Sequence, residues 1–61
     1  NFSKYLNSVR IKEAQLLLLN TNLNVSEIAE KVGYSSSGYF YKKFKKECGL
    51  SPTEYRNEYQ V

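Results

Sequence analysis

The sequence predicts an all-α chain: a long linker helix, then a helix-turn-helix unit, then a short closing helix. Three observations carry that expectation. No run alternates apolar and polar residues with period two, so no strand is expected. Apolar residues recur three and four apart along each helical stretch. Gly33 and Gly49 each stand just past such a stretch, where a residue able to take positive φ ends a helix.

The first helix is expected from about Phe2 to Leu19, capped by Asn1 or Ser3. At about 100° per residue it carries two apolar stripes. Phe2, Tyr5, Leu6, Val9 and Leu16 form one. Ile11, Ala14 and Leu18 form the other, roughly 150° around the wheel, with Leu17 between them. A helix at the edge of a small domain needs a single stripe. The second stripe can pack on the helices that follow, but too little chain remains to cover the first. We therefore divide the sequence into residues 1–23, a linker helix and loop, and residues 24–61, a helix-turn-helix unit with its closing helix. Together they are expected to be a fragment of a larger two-unit domain. The competing reading is an overly hydrophobic helix in a complete four-helix core.

Asn20 to Leu23 is a short loop rich in asparagine and threonine. Asn24 can cap the next helix, about Val25–Val32, and Glu27 completes a capping-box pattern. Ile28 and Val32 share its buried face, and Ala29 is small where the following helix must come close. Gly33 ends it. Ser35 or Ser36 caps the next helix, about Ser36–Cys48, whose core positions are Phe40 and Phe44. Gly49 ends that helix. Ser51-Pro52-Thr53-Glu54 then supplies an N-cap serine, a proline at the first helical position and a glutamate for the reciprocal cap. A weak repeat links the two ends of the chain. NFSKYLNSV aligns with SPTEYRNEY, matching Tyr5 with Tyr55 and Asn7 with Asn57. The second copy directly follows a helix-turn-helix unit, so the first copy is expected to have followed another.

The helix about 36–46 can be read face by face. With Phe40 and Phe44 inward, Gly38, Lys42 and Lys45 project outward, with Tyr41 and Lys46 on the flanks. From Ser35 through Lys46 there are four lysines and no acidic residue. Such a helix in a major groove meets phosphates on both walls and base edges on the floor. A lysine run by itself is more often a solvated face. The capped helix pair and its glycine turn favour the nucleic-acid reading.

Composition narrows the alternatives. Sixty-one residues make one small domain, and a net charge of +3 matters less than its placement. Glu27, Glu30, Glu47, Glu54 and Glu58 lie outside the basic face. With no histidine and no aspartate, a histidine base, an aspartate pair and a histidine-bound metal are excluded within this chain. No catalytic residue, metal or cofactor is expected. A lone Cys48 near a helix end is expected as a small buried filler, and an unpaired thiol fits a reducing, cytoplasmic setting. Leu16 to Leu19 is too short to span a bilayer, and no signal-peptide pattern opens the chain, so no membrane partner is expected.

These residues together resemble the C-terminal part of the AraC/XylS-type DNA-binding domain of bacterial transcription regulators. The resemblance rests on Tyr5-Leu6-Asn7, Arg10-Ile11, Ala14, Leu17-Leu18, Ile28-Ala29, Val32-Gly33-Tyr34, Tyr39-Phe40, Phe44-Lys45-Lys46, Gly49, Ser51-Pro52 and Tyr55-Arg56. It implies homeodomain-like three-helix packing and an upstream first helix-turn-helix unit as partner. It also implies sequence-specific binding of duplex DNA. Ser37, Gly38, Tyr41 and Lys42 occupy places where family members read bases, and Ser36, Lys45 and Lys46 lie where phosphates run. Gly38 departs from the family in kind, since glycine makes no side-chain base contact; Tyr41 and Lys42 are the better candidates. Thr53, near a helix N-terminus, offers its hydroxyl or N–H to a phosphate. Tyr39 is placed either at the backbone or half-buried beside Phe40. Arg10 and Arg56 look structural, each able to pair with a glutamate. Ala29, Gly33, Phe40, Phe44 and Gly49 are turn and core positions. The alternative function is a helical protein–protein interaction module without DNA binding. The uncovered stripe of the first helix makes self-association of the fragment a further expectation.

Overall fold

The structure is a computed structural model that describes residues 2–60. It has four helices, α1 (Phe2–Asn20), α2 (Val25–Lys31), α3 (Ser37–Cys48) and α4 (Pro52–Tyr59), and no strand among the described residues. The cap proposed for Asn1 lies outside the described residues.

Each helix end has a local cause. At α2, Asn24 Oδ1 accepts from the Glu27 N–H at 2.8 Å, and Glu27 Oε1 accepts from the Asn24 N–H at 3.0 Å. This is a complete capping box, which satisfies two N-terminal donors reciprocally. α2 stops at Lys31, one residue short of the expected Val32, which becomes the C-cap. The Tyr34 N–H then reaches back to Ala29 O at 2.9 Å and the Gly33 N–H to Glu30 O at 3.2 Å. That pair of bonds is a Schellman closure, and it requires the φ of 101° that Gly33 adopts. Ser36 rather than Ser35 caps α3, its Oγ accepting from the Tyr39 N–H at 3.3 Å. Gly49, at φ 78°, ends α3 by donating to Lys45 O at 2.8 Å. α4 opens with a second capping box between Ser51 and Glu54, with Pro52 in its first turn.

α1 ends differently. It has no glycine cap and runs one residue past the expected Leu19. Its last carbonyls are taken by side chains, as buried helix ends require. Asn20 Nδ2 donates to Leu16 O at 2.9 Å, and Thr21 Oγ1 donates to Leu17 O at 2.6 Å. From α4's side, Arg56 Nε donates to Leu18 O at 3.0 Å and an Arg56 terminal nitrogen to Thr21 O at 3.2 Å. Gln60 Nε2 adds a bond to Leu18 O at 3.2 Å. The expected glutamate partner of Arg56 is thus replaced by carbonyls at a helix C-terminus, where a cation also suits the helix dipole. Arg10 departs in the same way. Its guanidinium lies over the Tyr34 ring, 5.6 Å from the centroid.

The core joins Ile11, Ala14 and Leu18 of α1 to Ile28, Ala29 and Val32, then to Tyr34, Phe40 and Phe44. Ala14 and Ala29 are fully enclosed, which lets the helix axes approach closely. Aromatic rings run through it in contact, Tyr34 to Phe40 at 5.3 Å, Phe40 to Phe44 at 5.7 Å and Phe44 to Tyr55 at 5.5 Å. The buried residues of α1 all lie from its midpoint, Ile11, onward. Of the other stripe, Phe2, Tyr5 and Leu16 are 76%, 68% and 60% exposed, while Leu6 and Val9 are half-buried.

Candidate nucleic-acid interface

α3 is fixed from behind. Phe40 and Phe44 are wholly enclosed, so the rotation of the helix about its axis is set by the core. The opposite side is left in solvent. Ser37, Gly38, Tyr41 and Lys42 are all exposed, and so are Ser36, Lys45 and Lys46. The four residues expected to face bases are thus all accessible to solvent.

The N-terminal turn of α3 adds an electrostatic feature. It holds no acidic residue, so the positive end of the helix dipole is uncompensated by the helix itself. Gly38 has ordinary helical backbone there. A Cβ built on it would meet only Ser36 Oγ, at 3.7 Å. Neither backbone nor packing demands this glycine.

α4 flanks the Lys45 side. Hydrogen bonding to the backbone and side chain of Ser51 holds the Glu54 carboxyl below its ordinary range, and the charge of Lys45 adds to that. The first turn of α4 has a proline without an N–H, while the Glu54 N–H is taken by Ser51 Oγ. Thr53, exposed on the same turn, keeps the donor that the capping box leaves unused.

Tyr39 is half exposed, its ring 5.8 Å from that of Tyr34. Cys48 is part-buried and accepts from Gln15 Nε2 at 3.0 Å. Burial pushes its thiol up, which keeps it protonated and a poor nucleophile. Among the described residues no group of histidine, cysteine, aspartate or glutamate side chains could hold a metal ion. No helix among them is long and apolar enough to cross a membrane.

Two things escaped the sequence reading. Tyr34 is a hub, with its ring in the core and its hydroxyl donating to Asn7 Oδ1 at 3.2 Å. Its place directly after Gly33, where Schellman closures put an apolar residue, is the signal that points to it. Lys43 also went unassigned, although it shares a flank of α3 with Tyr39 and Lys46.

Two capped helices joined by a glycine turn, the second one basic and exposed on its outer face, define a helix-turn-helix protein. Residues 1–58 match the family described as a helix-turn-helix domain. The chain belongs to the AraC-type helix-turn-helix family, the DNA-binding domain of bacterial transcription regulators. It is 41% identical over 58 residues to an uncharacterized HTH-type transcriptional regulator, YijO of Escherichia coli, covering 95% of this chain and 20% of that protein. Against the HTH-type transcriptional activator RhaR of an Enterobacter species it is 43% identical over 53 residues, covering 87% of this chain and 19% of that one. The chain thus spans about a fifth of the length of the curated relatives it matches. Among solved structures, the C-terminal domain of AraT, a response regulator from Geobacillus stearothermophilus, superposes with a TM-score of 0.97. That likeness is at 43% identity over all of this chain and 50% of the other.

Proposed function

We propose that this chain binds duplex DNA sequence-specifically as part of a transcription regulator, with the helix about 36–46 in the major groove. One observation carries the reading. The exposed side of α3 presents Ser37, Gly38, Tyr41 and Lys42 with no acidic residue from Ser35 through Lys46, while Phe40 and Phe44 lock its other side into the core. Tyr41 and Lys42 reach base edges, and Ser37 and the bare backbone of Gly38 lie close against them. Ser36, Lys45, Lys46 and Thr53 hold phosphates. A regulator on bacterial chromosomal DNA works in the cytoplasm, and the unpaired Cys48 suits that compartment.

The partner of α1's exposed stripe is an upstream helix-turn-helix unit. This chain covers half of the AraT C-terminal domain, which leaves room for a second body of similar size. By the same reading residues 1–23 link the units and residues 24–61 form the second one.

Binding measured against salt tests the proposal. Affinity for a selected duplex should fall steeply as salt rises, in proportion to the phosphates neutralised. Lys42→Ala should cost about 1–3 kcal/mol on that duplex and relax preference at one base pair. Lys46→Ala should weaken binding to all sequences alike and lower the salt slope by about one. Equal losses from both variants on selected and random duplexes would refute the division of roles. No salt-dependent binding at all would leave a protein-interaction module as the better reading.

A further inference from the structure

Beside the base-facing surface lies a cleft of which these roles use only Lys46. It opens between the first turns of α1 and one flank of α3. Ser3, Lys4 and Asn7 line it from α1, and Lys43, Lys46 and Glu47 line it from α3. Three lysines stand there against one glutamate. Only the fold brings them together, since Lys4 and Lys43 sit on different helices far apart in the chain.

The Lys43 and Asn7 side chains are held in place. The Lys43 ammonium lies 5.6 Å from the centroid of the Tyr39 ring, a cation–π contact that keeps the long stem against α3. Asn7 Oδ1 is occupied by the Tyr34 hydroxyl, so Asn7 has its amide N–H donors left to offer. Tyr34 belongs to the core, and Asn7 is thereby tied to the packed part of the molecule. Apart from Glu47, the cleft presents positive charge and donors. That is the chemistry of a phosphate site. At about 620 Å³ the cleft is open and far larger than one ion needs, which suits a stretch of sugar-phosphate with its water.

We propose that this cleft grips a backbone phosphate of the bound DNA, on the groove wall nearer α1, so that the long helix as well as α3 touches the duplex. The proposal rests on α3 entering the major groove. A helix so placed has a phosphate strand on each side. Lys45 and Thr53 serve one flank, next to α4. Lys43 and Lys46 serve the other, backed by Lys4 and Asn7 of α1. Glu47 opposes the phosphate and weakens the grip.

That opposition gives a test with two signs. In the intact protein, affinity is measured on a selected duplex and an unrelated one, between about 0.1 and 1 M salt. Lys4→Ala should weaken binding to both duplexes equally, by about eightfold at about 0.1 M salt, and lower the salt slope by about one. Lys4→Arg should bind as the parent does. Glu47→Gln should bind both duplexes several-fold tighter at low salt, with the gain vanishing near 1 M; a purely structural Glu47 gives no gain. Melting curves check that each variant is folded. If Lys4→Ala and Glu47→Gln keep the parent's affinity and slope while Lys42→Ala still loses preference, the cleft proposal fails and the groove reading stands. If the parent shows no salt-dependent binding, the groove reading fails and takes the cleft with it. If Lys4→Ala keeps DNA binding but loses a protein with an acidic surface, the occupant is a protein and the phosphate proposal is overturned.

Discussion

The three glycines of this chain are held to very different standards. Gly33 and Gly49 both sit at positive φ, so alanine at either costs about 1–2 kcal/mol of backbone strain. They differ in surroundings. A Cβ at Gly33 would lie 3.2 Å from Arg10 Nε, whereas one at Gly49 would meet nothing within 4 Å. Gly33→Ala should therefore lower the melting temperature more than Gly49→Ala, because it also pushes Arg10 off the Tyr34 ring. Equal melting temperatures would mean that Arg10 moves aside freely. Gly38 is the opposite case. Its backbone is ordinary helix and the space beside it is open, so Gly38→Ala should raise stability by about 0.5–1 kcal/mol. The same change should weaken binding to a selected duplex, because the added methyl stands between α3 and the base edges. A variant that melts higher and binds as tightly would show that nothing approaches this position closely.

The helices divide by where their ends are made. α2 and α4 open with capping boxes, and α2 and α3 close on turn glycines, with partners within a few residues, so the sequence alone locates these ends. The face of α3 is legible for the same reason, since periodicity is local. The end of α1 is not. Beside the local bonds from Asn20 and Thr21 it is closed by Arg56 and Gln60, which lie 38 and 42 residues from Leu18, too far apart for any local pattern to show. The cleft between α1 and α3 escaped for that reason too: Lys4 and Lys43 meet only after folding. This division yields two expectations. Arg56→Ala leaves the Leu18 and Thr21 carbonyls without their charged donor and should cost about 1.5–3 kcal/mol. Amide exchange should quicken in the last turn of α1, although the substitution is in α4; unchanged exchange in that turn would refute the link. Acid stability is set in part at the α4 cap. The folded-state pKa of Glu54 is lowered, so its contribution is present above the unfolded carboxyl value and is lost as pH falls through the folded one. Glu54→Gln keeps a capping side chain without that titration. Unfolding of parent and variant should therefore differ at neutral pH and converge on acidification; a constant difference would place the pH dependence elsewhere.

Taken whole, the molecule is lopsided. α1 spans 19 residues, about 28 Å at the helical rise, in a body whose longest extent is 35 Å. The core takes its buried residues from the midpoint of α1 onward, and Phe2, Tyr5 and Leu16 stand largely in solvent along one side. Exposed apolar side chains along one side of a helix are what a docking partner would cover. If an upstream helix-turn-helix unit covers it, the same substitution has different costs in different lengths of chain. Phe2→Ser with Tyr5→Ser should change the stability of the 61-residue chain by less than about 0.5 kcal/mol, since both side chains are already exposed. In the longer protein each should cost on the order of 1.5–3 kcal/mol, the value of a large apolar side chain that becomes buried. DNA binding should weaken as well, because one recognition helix without its companion makes few contacts, although no residue of α3 has changed. Sedimentation of the 61-residue chain adds an independent reading. The exposed stripe should drive weak self-association, and the double substitution should abolish it. Two results would sink the idea. A double variant that destabilises the short chain as much as the long one would mean that the stripe is already covered within these four helices. A double variant without effect in either length would make the stripe plain surface, and any upstream unit would have to dock elsewhere.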